Sequence, residues 1–339
     1  MKRIAIACLV LIAASAAFAL FSSPLRGAGN GTVPWRDRPS RPGKYSVFQK
    51  AAYNLRLGVC DWTIGKTGDP AAFAISARLG LDGVQVSLVP KGDTLALADE
   101  NSRQTFLQAV RKARIPIASF AIGDLNDVPL KSDPRTERWL SKAIEIAAAM
   151  EIKVILVPFF GRGELRNDPA GVDAVVAALK RLAPKAEAQG VDLALESYLS
   201  AADVLRILER VGSPAVRVYY DVGNSQDMGY PVIDEIRALG ARIVEVHAKD
   251  TKDLYGKGSM DFMAVRQALE GIGYKGWFVI EGTKMPLGVE ESVRYDADYL
   301  RAVFGIHDGP RGVSPGDLAV ARRDTPGIPD LRIRPCPPD

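Results

Sequence analysis

Between about Leu55 and Gly305 the chain alternates, eight times over, between two hydrophobic patterns. Short runs rich in β-branched or apolar residues end in a polar residue, and amphipathic stretches of helical period follow them. Such alternation calls for parallel strands joined by crossover helices. The spacing predicts strands over Leu57–Asp61, Gly83–Ser87, Pro116–Ala121, Val154–Pro158, Asp192–Glu196, Arg217–Asp221, Ile243–His247 and Phe278–Glu281. Asp133-Pro134 opens a helix that runs to Met150, and Gly171–Gln189 is a helix stopped by Gly190. Asp261–Leu269 and Val289–Val303 read as two more. An open doubly wound sheet would usually carry a Gly-rich phosphate turn after its first strand. Here Trp62-Thr63-Ile64-Gly65-Lys66 follows instead, and Gly161-Arg162-Gly163 after the fourth strand is too short a signal. The expected fold is therefore an α/β single-domain (β/α)8 TIM barrel over residues 55–305.

A barrel of this kind needs roughly 250 residues, and the chain has 339. The excess lies at the ends. Residues 1–23 combine a basic start (Met1-Lys2-Arg3), an apolar run from Ile4 to Phe21 and the small-residue endings Ala14-Ser15-Ala16 and Ala17-Phe18-Ala19. These are the parts of a secretory signal peptide. An uncleaved membrane anchor is the rival reading, because about 18 apolar residues can just span a bilayer. Either way the expectation is an exported protein, periplasmic or extracellular. Residues 24–54 are rich in Gly and Pro and read as a linker, and 306–339 as a proline-rich C-terminal tail. A net charge of +4 with scattered basic residues gives no nucleic-acid footprint. Without the leader two of the three cysteines remain, Cys60 and Cys336, too few for a disulfide framework although that one pair could join.

Barrels of this class carry their chemistry at the C-terminal ends of the strands. Four consecutive strands, the fifth to the eighth, end in Glu196, Asp221, His247 and Glu281. A carboxylate at the end of a buried strand is costly to desolvate, and three on one rim repel one another. One divalent metal ion removes both problems, and oxygen ligands with a single imidazole suit Mn2+, Mg2+, Co2+ or Zn2+. The chain has only two histidines, and the other, His307, falls in the tail. Taken singly, Glu196 or Asp221 could as well be a rim ion pair, and His247 a hydrogen-bonded core histidine; their shared position argues for the metal. Candidate substrate contacts are Lys249, Asn224, Trp62 and Gln85, with Ser87 beside the last. Lys249 could instead pair with Asp250, Lys257 could be merely solvated, and Phe159-Phe160 could form an apolar wall or cap the barrel.

Several of these segments, read together, carry a resemblance. Leu195-Glu196-Ser197, Tyr220-Asp221-Val222-Gly223-Asn224, Val246-His247-Ala248-Lys249-Asp250, Gly256-Lys257-Gly258-Ser259-Met260-Asp261-Phe262 and Ile280-Glu281 resemble the sugar phosphate isomerase/epimerase family of xylose-isomerase-like barrels. The resemblance implies that Glu196, Asp221, His247 and Glu281 hold the metal. It also implies that Glu196 and Glu281 are the catalytic acid/base pair, moving a proton beside a carbonyl through an enediolate. Family epimerases commonly carry a histidine three residues after the metal aspartate, where this chain has Asn224, which cannot shuttle a proton. The DNA-repair endonucleases of the same fold need several histidines, more than this chain owns. Export favours a substrate without phosphate. The expected function is metal-dependent isomerisation or epimerisation of a free sugar or keto-sugar. The alternatives are a metal-dependent lyase or dehydratase of a keto-sugar or keto-inositol, and a non-catalytic sugar-binding barrel. Homo-oligomers occur in the resembled family.

Overall fold

A computed structural model describes residues 55–282 and 284–305. The leader, the linker, the tail, His307 and the Cys60–Cys336 pairing all lie wholly or partly outside those residues. Eight strands close on one another: β1 (Arg56–Cys60), β2 (Gly83–Ser87), β3 (Ile117–Ala121), β4 (Val154–Phe159), β5 (Asp192–Ser197), β6 (Val216–Asp221), β7 (Ile243–Ala248) and β8 (Trp277–Ile280). Each pairs in parallel with its neighbours in sequence, and β1 pairs with β8 to complete the ring. This is the (β/α)8 barrel that the alternation predicts.

The outer helices are α1 (Ala71–Arg78), α2 (Glu100–Ala113), α3 (Arg135–Ala149), α4 (Pro169–Gln189), α5 (Ala201–Val211), α6 (Val222–Asp227), α7 (Val232–Leu239), α8 (Phe262–Gly271) and α9 (Val289–Phe304). Their ends follow from local chemistry. Asp168 accepts from Gly171 N at 2.9 Å, so α4 starts two residues before the predicted Gly171. Gly190 then stops it in the left-handed region at φ 62°. Asp261 caps α8 through Ala264 N at 2.9 Å. Leu140, Ile144 and Ala147 of α3 are buried on one face, as their spacing predicts. Two features had no signal in the pattern: the short hairpin Pro90–Lys91/Thr94–Leu95 and the six-residue α6.

Inside the barrel, alternate strand residues point inward. At the N-terminal end the Trp277 indole lies so close to Gly83 that a Cβ there would meet it at 2.6 Å. The Arg56 guanidinium stacks 4.2 Å over the same ring. Trp277 thus fills part of the lower barrel, in register with the buried Glu245. Among the described residues no helix is long and apolar enough to cross a membrane.

Candidate metal centre

The mouth of the barrel is built from strand ends. Glu196 closes the inward row of β5, Asp221 is the last residue of β6, His247 stands one before the end of β7, and Glu281 follows β8 directly. One ligand atom from each of the four lies within 4.8 Å of the others. Glu196, Asp221 and His247 are buried and Glu281 is half-buried.

Each ligand is aimed by its backbone. β6 runs straight into α6, so Asp221 serves as that helix's N-cap: Oδ1 accepts from Asn224 N at 2.8 Å, and Oδ2 is left facing the site. Glu281 N donates to Ala248 O at 3.0 Å and Gly282 N to Thr63 Oγ1 at 2.7 Å, so the loop after β1 pins the end of β8. The same loop sends Trp62 Nε1 to Glu281 Oε1 at 3.3 Å. Asp61, fully buried, holds the loop in turn: it accepts from the backbone N of Gly68 and Ser87 and from Ser87 Oγ.

His247 Nδ1 faces all three carboxylates, at 2.8 Å from Glu196, 3.6 Å from Glu281 and 4.0 Å from Asp221. Burial opposes a charged imidazole, but Glu196, Glu281 and Asp221 outweigh it and raise its pKa to about 9. Burial drives the Asp221 carboxyl well above its ordinary range. Lys249 pulls it back, and Glu281 and Glu196 push it further up. Burial works the same way on Glu281, yet His247 and Lys249 prevail and lower it to about 2. Three carboxyl groups thus share two cationic neighbours in a buried space. The donor set of three oxygens and one imidazole nitrogen fits a hard or borderline divalent ion. A cation between the acids would also relieve the repulsion that lifts Asp221. The residues present therefore fit the metal that the strand ends suggest.

The expected substrate contacts fall into two groups. Lys249 enters the site: Nζ lies 2.8 Å from Glu281 Oε2 and 3.3 Å from Asp221 Oδ2. Its stem passes over Gly223, where a Cβ would stand 2.7 Å from Lys249 Cβ and Cγ, so only glycine admits it. Asp250 is not its partner. That carboxylate accepts from Lys252 N and Met260 N, both at 2.9 Å, and shapes the loop; a Cβ on Gly258 would strike it. Trp62 stands at the rim with its ring 6.0 Å from the imidazole, edge-on, and Asn224 is buried beside Asp221.

Gln85 requires a correction. It was expected to face substrate hydroxyls, but it is fully buried beneath the site. Its Oε1 lies 2.8 Å from His247 Nε2, and its Nε2 donates to Ser119 Oγ at 3.1 Å. Ser87 likewise donates to Asp61 at 2.7 Å. Lys257 lies 4.9 Å over the Tyr295 ring, away from the four ligands. Phe159 is core, and the aromatic wall consists of Phe160 against Tyr198, centroids 4.6 Å apart. Sequence reasoning passed over Cys60, Ser119 and Tyr219, whose ring packs 4.3 Å from that of His247. It also passed over Glu245, which lies two residues below His247 on the inner face of β7. All are inward positions within strands, where the alternation reads as ordinary barrel filling.

A family model described as xylose isomerase-like TIM barrel matches residues 73–303. The chain belongs to that family. It is 30% identical over 200 residues to a 2-epi-5-epi-valiolone 7-phosphate 2-epimerase of Actinoplanes sp., covering 58% of this chain and 72% of the relative. It is 26% identical over 227 residues to an L-ribulose-5-phosphate 3-epimerase of Escherichia coli, covering 61% of this chain and 79% of that one. Among solved structures, D-psicose 3-epimerase from Clostridium cellulolyticum superposes with a TM-score of 0.63 at 17% identity, over 74% of this chain and 99% of that one. The 3-keto-D-glucoside 4-epimerase of Escherichia coli does so at 0.62 and 18%, over 73% and 99%. These two superpositions show the shared fold. The two sequence relatives named here are epimerases of phosphorylated substrates.

Proposed function

We propose that the protein is a divalent-metal-dependent epimerase or isomerase of a free sugar or keto-sugar, working outside the cytoplasm. The observation that carries this reading is the convergence of Glu196, Asp221, His247 and Glu281 at the C-terminal mouth of the barrel, in a chain whose relatives are sugar epimerases. A bound divalent ion would supply Lewis-acid polarisation of the substrate carbonyl. The chain's own groups then divide the work. Glu196 and Glu281 both reach Nδ1 of His247, at 2.8 and 3.6 Å, from strands three apart in the barrel. One takes the proton from the carbon beside the carbonyl, and the other returns a proton on the opposite face of the enediolate. Lys249 is placed to meet the developing oxyanion, and its ammonium is held firmly protonated: Asp221, Glu281 and Glu196 overcome the effect of burial. Trp62, Phe160 and Tyr198 offer apolar faces around the mouth for a sugar ring.

The leader expected over residues 1–23 would carry the protein beyond the cytoplasm, and this supports a substrate without phosphate. Asn224 favours a second reading, a lyase that removes the same proton and then expels a β-substituent. It occupies the position where a proton-shuttling histidine is common in the family, and it has no titratable group. One experiment addresses both. The Mn2+- or Zn2+-loaded protein is incubated with a panel of ketohexoses and keto-glycosides in D2O, and products are read by NMR and mass. The proposal expects an epimer or isomer of unchanged composition apart from solvent deuterium beside the carbonyl. Loss of water or an alcohol would make it a lyase. No exchange with any substrate, despite bound metal, would leave a binding barrel.

A further inference from the structure

The imidazole of His247 has two nitrogens in different surroundings, and both are fully buried. Nδ1 faces the three carboxylates. Nε2 points the other way, to Gln85 Oε1 at 2.8 Å, with Cys60 Sγ 3.5 Å off. Cys60, Gln85 and Ser119 sit side by side on three adjacent strands, because Cys60 is in register with Gln85 and Gln85 with Ser119. The Gln85 amide is engaged at both ends: its Nε2 donates to Ser119 Oγ at 3.1 Å, and its Oε1 accepts from Cys60 Sγ at 3.2 Å. Trp62 and Tyr219 flank the imidazole with their rings. The side chains on β1–β3 thus form a built socket under a histidine carried by β7.

We infer that Gln85 is a positioning residue that fixes the tautomer His247 adopts when a metal displaces its Nδ1 proton: the Gln85 carbonyl takes the Nε2–H and leaves the Nδ1 lone pair facing the ion held by Glu196, Asp221 and Glu281. A neutral imidazole can ligate through only one nitrogen, and the hydrogen bond on the other decides which. Nδ1 is the nitrogen that reaches the carboxylates, so the proton belongs on Nε2, and Nε2 then needs an acceptor. Nε2 belongs to a fully buried side chain, and among the described residues Gln85 Oε1, at 2.8 Å, is the acceptor placed for it. Were the amide reversed, its NH2 would face Nε2, the proton would move to Nδ1, and the nitrogen aimed at the acids could not ligate. Ser119 and Cys60 act one step further back by holding the amide in the orientation that works. This inference rests on the metal-dependent reading above and adds to it a residue that no strand-end rule would select.

The chain's two histidines make the test direct. Long-range 15N–1H spectra of the Zn2+-loaded protein, with His247→Ala used to assign the signals, show which ring nitrogen carries the proton. The inference expects it on Nε2 of His247. Zn2+ titrations of Gln85→Leu and Gln85→Glu, each checked for fold by circular dichroism without metal, supply the second arm. Gln85→Leu should bind Zn2+ about 10- to 100-fold more weakly, while Gln85→Glu, which keeps an acceptor oxygen, should stay within about threefold of the wild type. A proton on Nδ1 in the loaded wild-type protein overturns the inference, and so does unchanged affinity in a folded Gln85→Leu. In both of those cases the metal centre itself stands. If the wild-type protein takes up no Zn2+ at all, the inference and the metal reading fall together.

Discussion

Buried carboxylates occur in this barrel in two settings. At the mouth, Glu196, Asp221 and Glu281 crowd around one imidazole and one ammonium. Elsewhere, Glu245 and Asp296 are fully buried apart from one another; Asp296 Oδ1 accepts from Tyr255 N at 2.9 Å, while its Oδ2 has no hydrogen-bond partner among the described residues. Burial pushes Glu245 up to about 8 and Asp296, helped by Asp250 and Asp253, up to about 7. The solitary acids answer burial by holding their protons. At the mouth, cations stand among the acids and oppose burial: Lys249 pulls Asp221 back, and His247 and Lys249 lower Glu281 to about 2. Burial alone therefore does not mark a reactive carboxylate. What separates the two settings is convergence at strand ends, with one oxygen of each group facing a shared point.

That contrast can be broken at several positions. Glu281→Gln keeps the shape and removes the charge. It should cut turnover of the metal-loaded enzyme by about 10³-fold with the circular dichroism spectrum unchanged, and a loss of less than tenfold would reduce Glu281 to a spectator. Trp62→Phe removes the donor to Glu281 Oε1 and keeps an aromatic ring at the rim; kcat should fall about tenfold while Zn2+ affinity holds. Asp296→Asn probes a solitary acid. Its folded pKa is raised, so the native state keeps a proton that the unfolded chain releases above about 4. Stability from this group is present at low pH and is lost as pH rises towards 7. The asparagine, which still accepts from Tyr255 N, should melt about 2–4 °C higher than wild type at pH 8 and nearly level with it at pH 5. A gain at both pH values would show that the carboxyl is not protonated in the fold. The smallest effect belongs to Arg78→Ala, which removes an exposed 2.8 Å pair with Glu290. It should cost less than about 0.5 kcal/mol, within a degree of melting temperature.

The four candidate ligands were legible because each ends an apolar run, and the rule that barrels work at their C-terminal mouth turns such endings into a site. Their supports were not. Gln85 lies in the middle of β2 and reads as a polar residue of uncertain facing; its role depends on His247, 162 positions away and brought to it only by closure of the ring. Lys249 was legible as a rim cation but not as the partner of Asp221 and Glu281, since its path over Gly223 is a contact between the loop after β7 and helix α6. Strand limits moved by a residue where polar ends left the ladder: Asp61, predicted to end the first strand, instead clamps the loop that carries Trp62. Local pattern shows which residues reach the mouth, while the hydrogen bonds that orient them come from strands distant in sequence.

The most direct test of the account is the metal content of the purified mature protein, measured by mass spectrometry beside His247→Ala. The account predicts about one Mn2+, Zn2+, Co2+ or Mg2+ per chain, bound through the four strand-end ligands, and its loss from the variant. A wild-type protein that holds no divalent metal, and whose melting temperature does not rise when any of these ions is added, would contradict it.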